Sequence, residues 1–323
     1  MLASATFLAA LPRRGVSAGP GPTVELLDWP DPSRKRTLPL KVYRPAGAGP
    51  FPVVLFSHGL GGSREGGKAW GEHWSANGLL SIHIQHPGSD EFLWRGKADT
   101  LEQAAAALRA GMNAGQLIAR SRDVRFVLDE LARRQGAASS FASAADLSRV
   151  GMSGHSFGAV TTQAVSGERY AGTTGATISL RDPRIRAAIA FSPSYRAGDA
   201  AFEFGAIAIP FLSVTGTADG EVLPDIGVSP QQRTVPFENM PPGGKYLLVL
   251  DGADHMTFNG QRRTLARASA QEAVAKEPAH FEWIRRVTLA FWRATLLDDS
   301  DARSWLDRRL ADELGAAGTF KRR

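Results

Sequence analysis

The chain has 323 residues, enough for a sizeable buried core, and α/β folds of this size commonly form one domain. It contains no cysteine, which excludes disulfides, thiolate metal sites and a cysteine nucleophile, so any nucleophile must be oxygen or nitrogen. The net charge of +6 comes from Lys and Arg scattered among acids, with no basic run longer than Lys321-Arg322-Arg323; it reads as solvated surface rather than a nucleic-acid footprint.

Residues 2–11 form a short apolar segment, followed by Pro12-Arg13-Arg14 and the alternating small residues Val16-Ser17-Ala18, as at a signal-peptidase site. A basic stretch in front is missing. The segment resembles the apolar part of twin-arginine export signals, whose arginine pair would lie upstream of Met1, and it is too short to span a bilayer. The expectation is an export leader over residues 1–22 and a periplasmic or secreted protein; a frayed N-terminal helix and a cytoplasmic location are the alternative.

A catalytic unit is expected over residues 23–298. Residues 24–28 and 38–43 read as short antiparallel edge strands, and a Pro/Gly/Ala-rich stretch at 45–52 breaks the chain. Val53-Val54-Leu55-Phe56 is a continuous apolar run, as a strand buried on both faces requires. It ends in Ser57-His58-Gly59-Leu60-Gly61-Gly62, a loop whose glycines let backbone approach a ligand, with His58 expected to brace rather than react. Residues 68–76 read as a helix and 79–85 as the next strand, ending in His86-Pro87-Gly88-Ser89-Asp90. The long connection 91–115 could cover a site, and its aromatics Phe92 and Trp94 are candidates for lining a pocket, although packing is their commoner fate. Residues 116–134 carry Leu117, Val124, Val127, Leu128 and Leu131 at helical spacing.

The stretch that carries chemistry is Gly154-His155-Ser156-Phe157-Gly158, between an apolar run ending at Met152 and a helix-like segment. A serine forced into a strained strand-to-helix turn needs small residues two places before and after it. The helix beginning at Phe157 would aim free N–H groups at developing negative charge. A bare G-x-S-x-G also arises by chance, so the surroundings decide. Further apolar runs follow: 185–191 ends at Ser192-Pro193, 209–214 ends at Thr215-Gly216-Thr217-Ala218-Asp219, and 246–250 ends at Asp251-Gly252-Ala253-Asp254-His255. Strands alternating with helices predict a mostly parallel sheet of about eight strands covered on both faces. Residues 281–297 read as a closing helix, 298–314 as a polar helical extension and 315–323 as a frayed end; 299–323 is thus set apart as extension and tail.

In a parallel sheet the loops at the carboxyl ends of strands gather along one edge, where ligands bind. Ser156, Asp219 and His255 each follow such a strand, in the order nucleophile, acid, histidine. In that arrangement His255 takes the Ser156 proton, Asp219 fixes the imidazole, and the N–H groups of Leu60 and Phe157 form the oxyanion hole. Asp225, Asp251 and Asp254 are rivals for the acid, and His155 is a further candidate for substrate contact. No H-x-x-x-H or acidic ligand cluster stands out, so no metal or other cofactor is expected.

The stretches Phe56–Gly62, Gln85–Asp90, Arg122–Leu128, Gly151–Gly158 and Leu248–His255 resemble the α/β-hydrolase superfamily, more narrowly its bacterial dienelactone-hydrolase-like and platelet-activating-factor-acetylhydrolase-like group. The resemblance implies carboxylic ester hydrolysis on a small-molecule ester, with no nucleic-acid partner, no stable membrane insertion and no indication of oligomeric state. Two departures matter: dienelactone hydrolases use the cysteine this chain lacks, and the acetylhydrolases carry their acid after the strand that here ends at Phe191-Ser192-Pro193. Secreted polyester hydrolases place a tryptophan there, where this chain has Ser194-Tyr195. An amidase or peptidase with the same triad, a polyester hydrolase and a non-catalytic binding protein are the alternatives.

Overall fold

The computed structural model describes residues 21–136, 141–172, 174–220, 228–261 and 271–323, apart from the side chains of 271–274. The expected leader (residues 1–20 of it) and the rival acid Asp225 lie outside the described residues.

The strands in chain order are β1 (Thr23–Asp31), β2 (Arg36–Arg44), β3 (Phe51–Ser57), β4 (Leu80–Ile84), β5 (Ala145–His155), β6 (Arg169–Ala171), β7 (Thr177–Ser179), β8 (Ile185–Phe191), β9 (Phe211–Ala218), β10 (Lys245–Asp254) and β11 (Gly318–Arg322). Nine of them form one sheet, ordered β1-β2-β4-β3-β5-β8-β9-β10-β11. From β4 to β10 every pairing is parallel, while β1, β2 and β11 run antiparallel at the two edges. The chain is thus a mixed α/β protein with a large, mostly parallel sheet.

Strand β3 shows why helices cover both faces. Side chains alternate across a strand, and here Val53 and Leu55 join the core layer under helix α3 (Ala114–Arg134), with its Val124, Val127, Leu128 and Leu131. Val54 and Phe56 join the opposite layer, with Trp70 and Trp74 of α1 (Lys68–Ser75) and Ile284, Val287, Phe291 and Trp292 of the long closing helix. A strand sandwiched in this way has no solvent face and reads as an unbroken apolar run. Asn113 begins α3 by accepting the Gln116 N–H at 2.9 Å, a side-chain cap.

The connection after β4 folds into a short turn at Glu91–Leu93 and helix α2 (Leu101–Gly111). Helix α4 (Phe157–Ser166) follows β5 directly. Two short helices come next: α5 (Ala200–Phe204) before β9 and α6 (Val235–Asn239) before β10. The closing helix, α7 (Gln271–Leu296), begins about ten residues before its expected start, and α8 (Ser300–Arg308) and α9 (Leu310–Leu314) form the polar extension. Among the described residues no helix is long and apolar enough to cross a membrane.

One expectation is corrected. Residues 315–323 are not a frayed end: they turn back as β11, with Phe320 opposite Leu248 in register. The Phe320 ring stacks on Tyr246 with centroids 5.7 Å apart, and Arg323 N–H donates to the Lys245 carbonyl at 2.9 Å. A single apolar residue in five gives no readable alternation, so only the edge it completes reveals the strand.

Candidate active site

Strand β5 ends at His155 and α4 begins at Phe157, leaving Ser156 alone between them. Its backbone is held at φ 57° and ψ −116°, a conformation that costs an L-residue of order 1–3 kcal/mol. Close packing imposes it. A Cβ added at Gly154 would lie 2.8 Å from the Ser57 carbonyl oxygen, and one at Gly158 would lie 2.9 Å from that of His58. The Ser156 N–H donates to the Phe191 carbonyl at 3.0 Å, tying the turn to the end of β8.

Asp219 and His255 arrive from the ends of β9 and β10, neighbouring parallel strands. His255 Nδ1 lies 2.8 Å from Asp219 Oδ1, and Thr215 Oγ1 donates to Asp219 Oδ2 at 2.8 Å. Burial alone would raise the Asp219 carboxyl pKa, but the bond from His255 and the charge of Arg233 hold it below the usual carboxylate range. An ionised Asp219 fixes the Nδ1–H tautomer and leaves Nε2 to accept a proton.

Ser156 and His255 line one cavity of about 680 Å³, together with Gly59, Leu60, His155 and Phe157. No hydrogen bond joins the Ser156 hydroxyl to His255 among the described residues; such contacts commonly tighten only when substrate is bound. The main-chain N–H groups of Leu60 and Phe157 donate to no protein acceptor among the described residues. Apolar side chains of Trp94, Leu108, Met112 and Val160 complete much of the wall, so turn and helix α2 do border the cavity.

The other expected residues separate. Trp94 lines the cavity and its indole N–H donates to the Gly61 carbonyl at 2.9 Å, whereas Phe92 is 57% exposed and is not among the lining residues. His155 donates from Nε2 to the His255 carbonyl at 2.9 Å, and burial pushes its pKa down to about 3, so a neutral ring ties the elbow to the histidine loop. His58 braces its loop: Nδ1 donates to the Gly59 carbonyl at 2.6 Å and Nε2 accepts the His86 N–H at 3.0 Å. Asp254 caps the turn after it by accepting from Thr257, and Asp251 pairs with Lys276; neither is bonded to the imidazole of His255.

Arg233 was not singled out by sequence reasoning. Its guanidinium is buried, with Nε 2.7 Å from Asp219 Oδ1, Nη1 donating to the carbonyls of Ser192 and Pro193 at 3.0 and 3.1 Å, and Nη2 3.1 Å from His255 Nδ1. The reading of the basic charge as solvated surface is therefore corrected for the buried guanidiniums of Arg233 and Arg120. Neither carries a motif or a strand-end position that would have marked it. Neither a protein-family model nor a curated protein sequence matches the chain.

Proposed function

We propose that the protein is a serine carboxylic ester hydrolase of the α/β-hydrolase fold, acting on small to medium acyl esters through an acyl-enzyme. Ser156 Oγ attacks the ester carbon while its proton passes to His255 Nε2, and the resulting oxyanion accepts from the N–H groups of Leu60 and Phe157. The carbon–oxygen bond to the alcohol breaks and the alcohol leaves with the proton from His255. Water then gives a proton to His255 and attacks the acyl carbon; Ser156 is released protonated and the carboxylic acid departs. Asp219 stays ionised throughout and stabilises the imidazolium.

The observation that carries this reading is the strained Ser156 sharing a cavity with a histidine whose far nitrogen is already bonded to a buried carboxylate. A cavity of about 680 Å³ with mostly apolar walls suits a drug-sized or smaller ligand. The test is turnover of p-nitrophenyl esters from acetate to decanoate, compared with the matching anilides. Wild-type protein should cleave the short and medium esters, and Ser156→Ala and His255→Ala should each lose about 10⁴-fold or more in kcat. Wild-type turnover by Ser156→Ala refutes the reading; anilide cleavage at ester rates would move it to an amidase.

A further inference from the structure

Two stretches marked by the sequence, Gln85–Asp90 and Arg122–Leu128 of α3, find no role in the proposed chemistry, yet they meet through His86 and Asp123, one turn from Arg120. Arg120 of α3 is fully buried and has no ion pair among the described residues. Its Nη1 donates to the His58 carbonyl at 2.7 Å, and its Nε donates to Ser89 Oγ at 2.8 Å. The Ser89 carbonyl accepts Arg120 Nη2 at 3.4 Å and also the Gly61 N–H at 2.9 Å. One side chain is thus bonded directly to residue 58 and, through Ser89, to residue 61, bracketing Leu60 on both sides. The same guanidinium lies over the Phe157 ring, 4.4 Å from its centroid.

A second Ser-His-Asp constellation holds this cation. Arg120 Nη1 donates to Ser57 Oγ at 3.3 Å; Ser57 Oγ donates to His86 Nε2 at 2.9 Å; His86 Nδ1 donates to Asp123 Oδ2 at 2.9 Å. Asp123 is anchored in turn by Arg34 at 2.6 Å and Arg36 at 3.1 Å. Burial keeps His86 neutral, with its pKa well below the ordinary value, as a ring accepting at Nε2 requires. The bond order matches that of a nucleophilic triad, but Ser57, His86 and Asp123 have no solvent exposure, so this one is a strut. Burial also lowers the Arg120 pKa to about 9, which leaves the guanidinium charged at neutral pH.

We infer that Arg120, held by the Ser57–His86–Asp123 chain, is a positioning residue that sets the two oxyanion donors, Leu60 and Phe157, in register with each other. The inference rests on the proposed roles of those two N–H groups. An arginine fork is what the geometry needs, because four acceptor atoms on Ser57, His58 and Ser89 must be met by one side chain; a lysine keeps the charge but not the fork.

The test uses the full chain with p-nitrophenyl butyrate, a butyl trifluoromethyl ketone that adds to the serine as an oxyanion, and butyrate as a product inhibitor that does not. Arg120→Lys should lower kcat about tenfold, less than the 10²–10³ of deleting an oxyanion donor, with KM within about threefold. Ketone inhibition should weaken by the same factor as kcat and butyrate inhibition should not change. Should Arg120→Lys fail the circular-dichroism check for folding, Ser89→Ala, which removes the Nε acceptor together with a 3.3 Å bond to the His86 carbonyl and leaves the other Arg120 bonds in place, should show the same pattern with about a threefold loss. A folded variant with unchanged kcat and ketone inhibition overturns the inference, as does one whose kcat falls while ketone inhibition is retained. Ser156→Ala in the same assay separates the two readings: a dead Ser156→Ala beside a fully active Arg120→Lys sinks only the inference, whereas an active Ser156→Ala sinks the proposed function itself.

Discussion

Replacing Gly158 by alanine tests the elbow where its geometry is tightest. A Cβ at that position would sit 2.6 Å from the Ser57 carbonyl carbon and 2.9 Å from the His58 carbonyl oxygen, both backbone atoms that no side-chain rotation can clear. Carbon pairs settle at about 3.5 Å or beyond, so α4 and the end of β3 must separate by about 1 Å. Overpacking of this kind costs about 3 kcal/mol, which for a chain of this size is a fall in melting temperature of about 4 °C. The displaced atoms are those that lead into the Leu60 loop on one side and carry Ser156 on the other. A misplacement of about 1 Å in reacting geometry costs about 10²-fold in rate, so kcat on a chromogenic ester should fall by that much. The control is Gly136→Ala, where an added Cβ meets nothing within 4 Å among the described residues, and its melting temperature should stay within about 1 °C of wild type. Thermal melts followed by circular dichroism, with steady-state kinetics on the same samples, decide the matter. A Gly158→Ala protein that melts with wild type and keeps its kcat would show that strand and helix do not meet as described, and the strained-serine reasoning would fall with it.

Asp219→Asn should preserve the fold but lower kcat about 10⁴-fold, because the amide no longer enforces the Nδ1–H tautomer; Asp254→Asn, whose amide oxygen can still cap Thr257, should instead leave kcat within a few-fold. If Asp254→Asn proves the crippling change in the same ester assay, the acid has been misassigned. Arg233→Met leaves Asp219 without its cation and the Ser192 and Pro193 carbonyls without their donor, so urea unfolding should report a loss of about 3 kcal/mol; a loss under about 1 kcal/mol contradicts the buried pair. Burial raises the Glu168 pKa to about 8, so the folded protein holds a proton there that the unfolded chain releases near the usual carboxylate value. The stabilisation from that proton is full below about pH 4.5 and is lost as pH climbs toward 8, at about 1.4 kcal/mol per unit. Glu168→Gln should therefore melt above wild type at pH 8 and level with it at pH 4.5; equal melting at both pH values would refute the assignment.

What the sequence made legible follows from how local each cause is. Strands β3 and β8 could be read because burial on both faces writes itself into consecutive apolar residues. The strand-end positions of Ser156, Asp219 and His255 could be read because a parallel sheet gathers its loops along one edge, and the structure does bring Asp219 to His255, and His255 to the cavity that Ser156 borders. Strand β11 was hidden because its cause is the open edge of β10, some seventy residues away in the chain. Arg120 and Arg233 were hidden for a related reason. A cation's burial is decided by carbonyls and carboxylates that come from other elements, here His58, Ser89, Ser192 and Asp219, and none of these is a sequence neighbour. The residues proposed to do the chemistry follow strand ends that topology places and can be anticipated. The groups around them are assembled from scattered polar atoms, and only the folded arrangement shows that one buried guanidinium, Arg233, touches Asp219 and His255 while the other, Arg120, touches the His58 carbonyl and the Phe157 ring.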